Sequence, residues 1–477
     1  MSGLDLCLVV ASLVSLVQAP AEPVEVPEGH PSYRQITEQL ISKSLGEGRA
    51  YEFLAELCQV APRRLAGSPG AAAAENWARE RMRSLGFENV RFEEVTVPHW
   101  VRGEVGSVRF VEPPELAGVE LPMLALGGSV ATPEHGITAE VVVVGGLEEA
   151  AQLGERAAGR IVLFNGRMDP TLVTPFEAYG RAVPQRSRGA SVAHGQGAVA
   201  ALVRSMTPNL DDVPHTGALR YQGEDDPIPA AAISTNAAEH VASLVAAGKK
   251  VVLHFEQDCR TLPDTEGFNV IGELVGRERP EEIVLVGGHL DAWDVGEGAH
   301  DDGGGCVQAM EAVRLIMDLG LRPRRTLRVV LYANEENGLR GGRGYAAAHA
   351  DEHHVMAVES DSGAFTPRGF RTNPNPEAMA WLEQALAPLE AAGADELRAG
   401  GGGADIGPLG PSGTVLVGFQ PDPQRYFDLH HTHEDTLDKV SVREINLGAG
   451  VIASLLWAVA EAEETLPPNP VADGSSR

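Results

Sequence analysis

The sequence predicts an α/β fold: a mixed, largely parallel sheet flanked by helices, with a β-rich domain inserted into it. Three observations predict this. From Phe268 onward, runs that are apolar on both faces alternate with helical segments, the pattern of a parallel sheet covered on both sides. Between about Glu112 and Cys259 the texture changes to short β-rich runs separated by Ala-rich helices, which marks a separate, smaller unit. A chain of 477 residues with 43% hydrophobic content supplies core for roughly two to three such units.

Taken in order, residues 6–17 form an apolar run followed by small residues at Ala19 and Ala21. That run suits a signal-peptide core and is too short to span a bilayer. Residues 1–21 are therefore expected to be a signal peptide and the protein to be secreted or periplasmic. The flank before the run lacks Lys and Arg and carries Asp5, so a buried N-terminal helix is the competing reading. Residues 22–110 open the main domain: a helix containing Trp77, Met82 and Leu85 should stop at Gly86, and 90–97 alternates as a strand before Pro98. Residues 111–262 form the inserted domain, with strands over 140–144, 161–164 and 251–255 and a helix over 237–247. Residues 263–466 return to the main domain, with strands over 283–286, 327–332, 355–358 and 414–417 and a helix over 307–319. Residues 467–477 read as a disordered tail.

Composition excludes several classes. With 67 Asp+Glu against 38 Lys+Arg, the chain carries a formal charge of −29 and lacks the basic face that nucleic acid requires. No apolar run reaches the length of about 18 residues that a membrane-spanning helix needs. The four cysteines, Cys7, Cys58, Cys259 and Cys306, form no close pair, which argues against both a disulfide scaffold and a thiolate zinc site.

Ligands of parallel sheets bind beyond the carboxyl ends of the strands, and that is where the polar groups of this chain collect. His289 and Asp291 follow the first apolar strand, and His300, Asp301 and Asp302 precede the helix after it. Glu335 and Glu336 follow the second strand, and Glu359 and Asp361 the third. His430, His431, His433 and Asp435 lie near the end. Singly, each would suit a core histidine, a turn or a solvated pair. Together they form an oxygen and imidazole donor set that suits zinc or a similar divalent ion. In adjacent carboxylates one can bind metal while the other handles protons. Asp291, two residues past His289, can orient its imidazole.

These motifs, in this order and at these spacings, resemble the M28 metallopeptidases. The resemblance extends over about 57–466 and includes Pro62-Arg63-Arg64-Leu65-Ala66-Gly67-Ser68 and Pro98-His99-Trp100. It implies a zinc-exopeptidase fold with a protease-associated domain inserted to shape substrate access. It also implies two Zn2+ ions: His289 and Asp361 on one, Glu336 and His431 on the other, and Asp301 bridging both. Glu335 would be the general base for a metal-activated water. His430, before the ligand in the pattern His-[Ser/Thr]-x-x-Asp-Thr, would stabilise the oxyanion, and Asp302 and His300 would be neighbours of the bridge. The expected activity is hydrolysis of dipeptides with free termini. The alternatives are an aminopeptidase of the same family acting on longer peptides and a receptor-like homologue without catalysis. A small peptide is the expected partner, with no nucleic acid or membrane, and the resemblance implies a homodimer.

Two motifs point elsewhere. His349-Ala350-Asp351-Glu352-His353 matches a short zinc motif but lies in a charged stretch with no third ligand nearby. The glycines at 400–403 have no following Lys, so they do not form a phosphate loop; Asp405 behind them takes a position that is also acidic in the family pattern, and the resemblance implies that it supports the pocket structurally.

Overall fold

Helix Tyr33–Glu47 starts at Ser32, which forms a reciprocal capping box with Gln35. The computed structural model describes residues 32–223, 226–373 and 375–469, so the expected signal peptide lies outside the described residues. A second helix, Ala50–Val60, leads to a third, Pro69–Ser84, whose first turn is capped by Ser68 and preset by Pro69. As the sequence indicates, it stops just before Gly86, where φ is +87°.

The chain then leaves on a long strand, β1 (Glu88–Val101), and builds a second sheet from eight strands. These are β2 (Gly106–Glu112), β3 (Glu120–Leu121), β4 (Met123–Ala125), β5 (Ile137–Val144), β6 (Ile161–Phe164), β7 (Ala200–Arg204), β8 (Ala230–Ile233) and β9 (Val252–Gln257), in the order β3-β2-β9-β5-β6-β7-β8-β4. It returns on β10 (Arg260–Leu274), antiparallel to β1, with Val101 opposite Arg260 and Glu88 opposite Glu273. The expected division at 110/111 passes through β2, which pairs with β9 of the second sheet, and the expected return at 262/263 falls inside β10.

The main sheet is completed by β11 (Arg279–His289), β12 (Arg325–Tyr332), β13 (His353–Glu359), β14 (Pro367–Thr372), β15 (Glu396–Ala399) and β16 (Val415–Pro421), in the order β1-β10-β12-β11-β13-β16-β14-β15. Its centre, β12-β11-β13-β16, is parallel and consists of the four strands expected from apolar runs. Antiparallel partners on both flanks make the sheet mixed. The burial explains the pattern. Val284, Val286, Val329 and Val358 face the helices Gly304–Asp318 and Val442–Glu461, while Ile283, Leu285, Val330 and Ala357 fill the core on the opposite face. Each such side chain contributes about 1.5–3 kcal/mol when buried, so both faces demand apolar residues and the period-2 alternation disappears.

Among the described residues, one helix, Val442–Glu461, is long and apolar enough to cross a membrane, and it is largely buried against this sheet. The first residues of the expected tail are tied down. Asn469 donates its main-chain N–H to Gly413 O at 2.9 Å, and Asn375 Nδ2 donates to Pro468 O at 2.8 Å; the rest of the expected tail, 470–477, lies outside the described residues. Cys58, Cys259 and Cys306 are buried free thiols.

Candidate active site

The carboxyl ends of β11, β12 and β13 deliver His289, the Glu335–Glu336 pair and Asp361 to one point. His289 closes β11. Its Nδ1 donates to the main-chain carbonyl of Asp291 at 2.9 Å, which turns Nε2 toward Asp301 Oδ1 at 3.2 Å and Asp361 Oδ1 at 3.5 Å. Asp301 lies in an irregular turn with a cis peptide bond to Asp302, just before helix Gly304–Asp318. Its second oxygen, Oδ2, is 3.2 Å from His431 Nε2, and His431 Nε2 is 3.1 Å from Glu336 Oε2. One carboxylate thus stands between a His289–Asp361 side and a His431–Glu336 side. Among the described residues, ligand atoms within 4.8 Å of one another form three sets: His289–Asp301–Glu336, Asp301–His430–His431 and His289–Asp302–Asp361.

Main-chain contacts hold this turn. Asp435 accepts from the N–H groups of His300 at 2.7 Å and Asp301 at 3.1 Å. Asp302 accepts from His289 N at 3.1 Å and Gly305 N at 3.0 Å. A Cβ on Gly305 would sit 1.8 Å from Ser360 O, so only glycine lets the helix approach the third strand so closely. The buried Arg64 donates to the carbonyls of Leu290 at 2.6 Å, Glu297 at 2.6 Å and Gly298 at 2.7 Å, framing both ends of the loop between His289 and Asp301.

Asp291 departs from its expected role. Its carboxylate lies 3.9 Å from His289 Nδ1 and instead accepts from the N–H groups of Glu335 at 2.9 Å and Glu336 at 3.4 Å. Its carbonyl orients the imidazole, while its carboxylate sets the Glu335–Glu336 turn.

The second sheet's segment reaches the other histidines. Thr216 donates its N–H to His431 O at 3.0 Å, and Thr216 O accepts from His431 Nδ1 at 3.3 Å. His215 Nδ1 donates to His430 O at 2.8 Å. His431 has φ +63°, a left-handed conformation that costs about 1–3 kcal/mol outside glycine; these bonds hold it there. His430 stacks on His431 with centroids 3.5 Å apart and is walled by Tyr179, Tyr426 and Phe427. Its Nε2 is 3.8 Å from Asp301 Oδ2. His289, Asp301, Glu335, Glu336, Asp361 and His431 line a cavity of about 500 Å³, whose opposite wall includes Phe176, Tyr179, Val183 and Arg186 of the second segment.

Charges are strongly coupled here. Burial opposes a charged imidazole at His431, but Glu336 and Asp301 overcome it and lift the ring to about 10. Burial likewise opposes charge on His289, and the carboxylates of Asp301 and Asp361 raise it well above its ordinary value. Burial would raise Asp301, yet His289 and His431 hold it well below the usual carboxylate range. Glu336 is pushed up to about 7 by burial and by Asp301. Glu335 is raised well above the ordinary range by burial, with Asp361 and Glu336 adding to it. His430 is driven well down by burial and by the charge of His431. Imidazolium protons therefore neutralise carboxylates at the positions a divalent cation would take, and metal binding would release them.

Residues 269–456 match the description of Peptidase family M28. Carboxypeptidase Q from Mus musculus is 36% identical over 448 residues, 93% of this chain and 93% of its own length. The chain belongs to peptidase family M28. A crystal structure of an M28 peptidase precursor from Shewanella amazonensis SB2B is 34% identical, with a TM-score of 0.86 over 92% of this chain and 99% of its own. A zinc aminopeptidase from Bacillus subtilis, 19% identical, shares the fold with a TM-score of 0.63 over 88% of this chain and 96% of its own.

The donor set of this M28 metallopeptidase fits zinc. Asp301 Oδ2, Glu336 Oε1 and His430 Nδ1 are buried with no hydrogen-bond partner, at the centre of an oxygen and imidazole cluster. The neighbouring thiol, Cys306, donates to His289 O at 3.0 Å and is held protonated by burial. The short zinc-like motif is otherwise engaged: His349 contacts Glu93 at 2.7 Å, Glu352 pairs with Arg328, and His353 is exposed. Asp405 is buried with both oxygens unpaired, beside Glu359, which accepts from the N–H groups of Ala404 and Ile406. Arg64, His215, Thr216 and the Asp435 carboxylate were not assigned roles from sequence. Arg64 and Asp435 fall in stretches that resemble the family, but nothing in their identity marks the main-chain atoms they serve.

Proposed function

We propose that this M28 peptidase is an exported exopeptidase that cleaves dipeptides with free amino and carboxyl ends, using two zinc ions. The observation that carries this reading is Asp301, which turns one carboxylate oxygen toward His289 and the other toward His431, each at 3.2 Å. His289 and Asp361 would hold one ion, Glu336 and His431 the other, and Asp301 both. Bound there, the ions supply Lewis acidity to the scissile carbonyl and acidify water.

The chain's own residues supply the rest. Glu335, placed by Asp291, removes a proton from the attacking water and delivers it to the leaving amine. His430, kept neutral by burial and by His431, offers an N–H to the oxyanion. The segment over 111–262 acts as the protease-associated domain, and its Phe176, Tyr179 and Val183 close the cavity over the cluster and limit substrate length. Similarity to carboxypeptidase Q along nearly the whole chain supports the same substrate class.

Rates on dipeptides, tripeptides and C-terminally amidated dipeptides test this. Free dipeptides should be favoured; undiminished cleavage of amidated or longer peptides would replace the reading with aminopeptidase action. Export rests on the leader over 1–21, and N-terminal sequencing of the protein recovered outside the cytoplasm should show that leader removed.

A further inference from the structure

Six arginines are buried among the described residues, and five have clear partners. Arg64 is bound by carbonyls, Arg204 by Glu239, Arg314 by Glu311, Arg325 by Glu282 and Arg328 by Glu273. Arg186, in helix Pro184–His194, is the exception. It is 7% exposed, its Nε and Nη1 have no hydrogen-bond partner, and among the described residues no carboxylate pairs with it. A buried cation without an anion is costly unless a ligand completes it.

Its position identifies the ligand. Arg186 lines the same cavity as Glu335, Asp361 and His431. Its guanidinium lies 5.6 Å from the ring of Tyr179, which packs edge-on against His430 at 5.2 Å. Behind it, a Cβ on Gly217 would come within 2.4 Å of the guanidinium carbon, so the glycine leaves the space the arginine fills. The exposed Arg188 and Arg220 also line this cavity and add positive potential. A guanidinium has donors only, in a planar fork that matches a carboxylate.

We propose that Arg186 binds a carboxylate of the peptide substrate, namely the free α-carboxylate of the dipeptide, and so sets specificity for free carboxyl ends. This rests on the exopeptidase reading above. The test compares kcat/KM of the zinc-loaded enzyme on Ala-Leu, Ala-Leu-amide and Ala-Glu-amide, for wild type, Arg186→Met and Arg186→Lys, with metal content and melting temperature measured for each. Wild type should prefer Ala-Leu to its amide. Arg186→Met should lose about 10- to 100-fold on Ala-Leu, mainly through KM, and change little on Ala-Leu-amide. Arg186→Lys, which keeps the charge and most of the volume, should recover part of the loss. A loss confined to Ala-Glu-amide would overturn the α-carboxylate and assign Arg186 to an acidic side chain. A wild-type enzyme that ignores amidation would refute the exopeptidase reading itself. Wild-type discrimination that persists in both variants would refute Arg186 alone.

Discussion

Replacing Asp291 by Asn separates two roles that one residue carries through different atoms. Its main-chain carbonyl orients His289, and its carboxylate holds the N–H groups of Glu335 at 2.9 Å and Glu336 at 3.4 Å. Asparagine keeps the carbonyl and one side-chain acceptor, which will serve the shorter bond, and its amide nitrogen then faces the Glu336 N–H. The loss is one long bond to a charged acceptor, about 1.5 kcal/mol at the low end of the usual range, whereas Asp291→Ala strands two buried donors at about 1–3 kcal/mol each. Urea unfolding of chelator-treated protein measures this directly, free of metal stabilisation. Zinc titration should give the wild-type stoichiometry in the Asn variant, because His289 keeps its hydrogen bond, while kcat falls because the turn that seats the Glu335–Glu336 pair is held by one main-chain bond instead of two. An Asn variant with normal stability and kcat but weakened zinc binding would refute the argument and return the carboxylate to the imidazole.

Five further outcomes follow from the same geometry. Glu335→Gln should retain zinc and lower kcat by about 10²- to 10⁴-fold, the range for a general base, as read from metal analysis and steady-state rates. Chelation should abolish activity and lower the melting temperature, with zinc restoring both, and Asp301→Asn should reduce bound zinc, since Asp301 faces both histidines. Arg64→Ala should destabilise the protein by about 2–6 kcal/mol in denaturant melts, because two buried carbonyls, those of Leu290 and Gly298, lose their donor at about 1–3 kcal/mol each and the half-buried Glu297 carbonyl loses one as well. His354, pushed down to about 4 by burial and by Arg328, accepts from the Tyr345 hydroxyl and stays neutral in the fold. The unfolded chain takes up that proton at the ordinary value of 6.5. Its stabilisation is therefore complete above pH 6.5 and lost as pH falls toward 4, at about 1.4 kcal/mol per pH unit, and His354→Gln should flatten that slope in urea melts.

The central strands were legible because the sheet is covered on both faces, so 283–286 and 355–358 are apolar throughout and 327–332 is interrupted only by Arg328, which pairs with Glu273. The residues that meet at the site were legible because side-chain chemistry is written in residue type, and His289, Asp301, Glu335, Glu336, Asp361, His430 and His431 do converge. What escaped is carried by main-chain atoms. Nothing about Asp291 as a residue says that its carbonyl faces His289 while its carboxylate faces Glu335. The division at 110/111 falls within β2 because β2 follows β1 after only residues 102–105, and what separates the two sheets is which strand each pairs with, β10 or β9. The tail over 467–469 is Pro- and Asn-rich, which reads as loose, but Gly413 and Asn375 supply the bonds that fix it.

The largest gap concerned the inserted segment. From sequence it is a wall that shapes access. In the structure it also supports the histidine and carboxylate cluster: Thr216 closes two hydrogen bonds on His431, a residue 215 positions away, and His215 closes one on His430. His431 has a left-handed main chain that its own type does not favour. The pose of His431 therefore depends on how the second segment is seated, and that same segment carries Tyr179 and Arg186 across the cavity. A shift of that segment would change substrate contacts and the geometry of His431 together. Access and chemistry share one support in this fold, and the insertion is joined to the main sheet through β1 and β10, its long antiparallel pair.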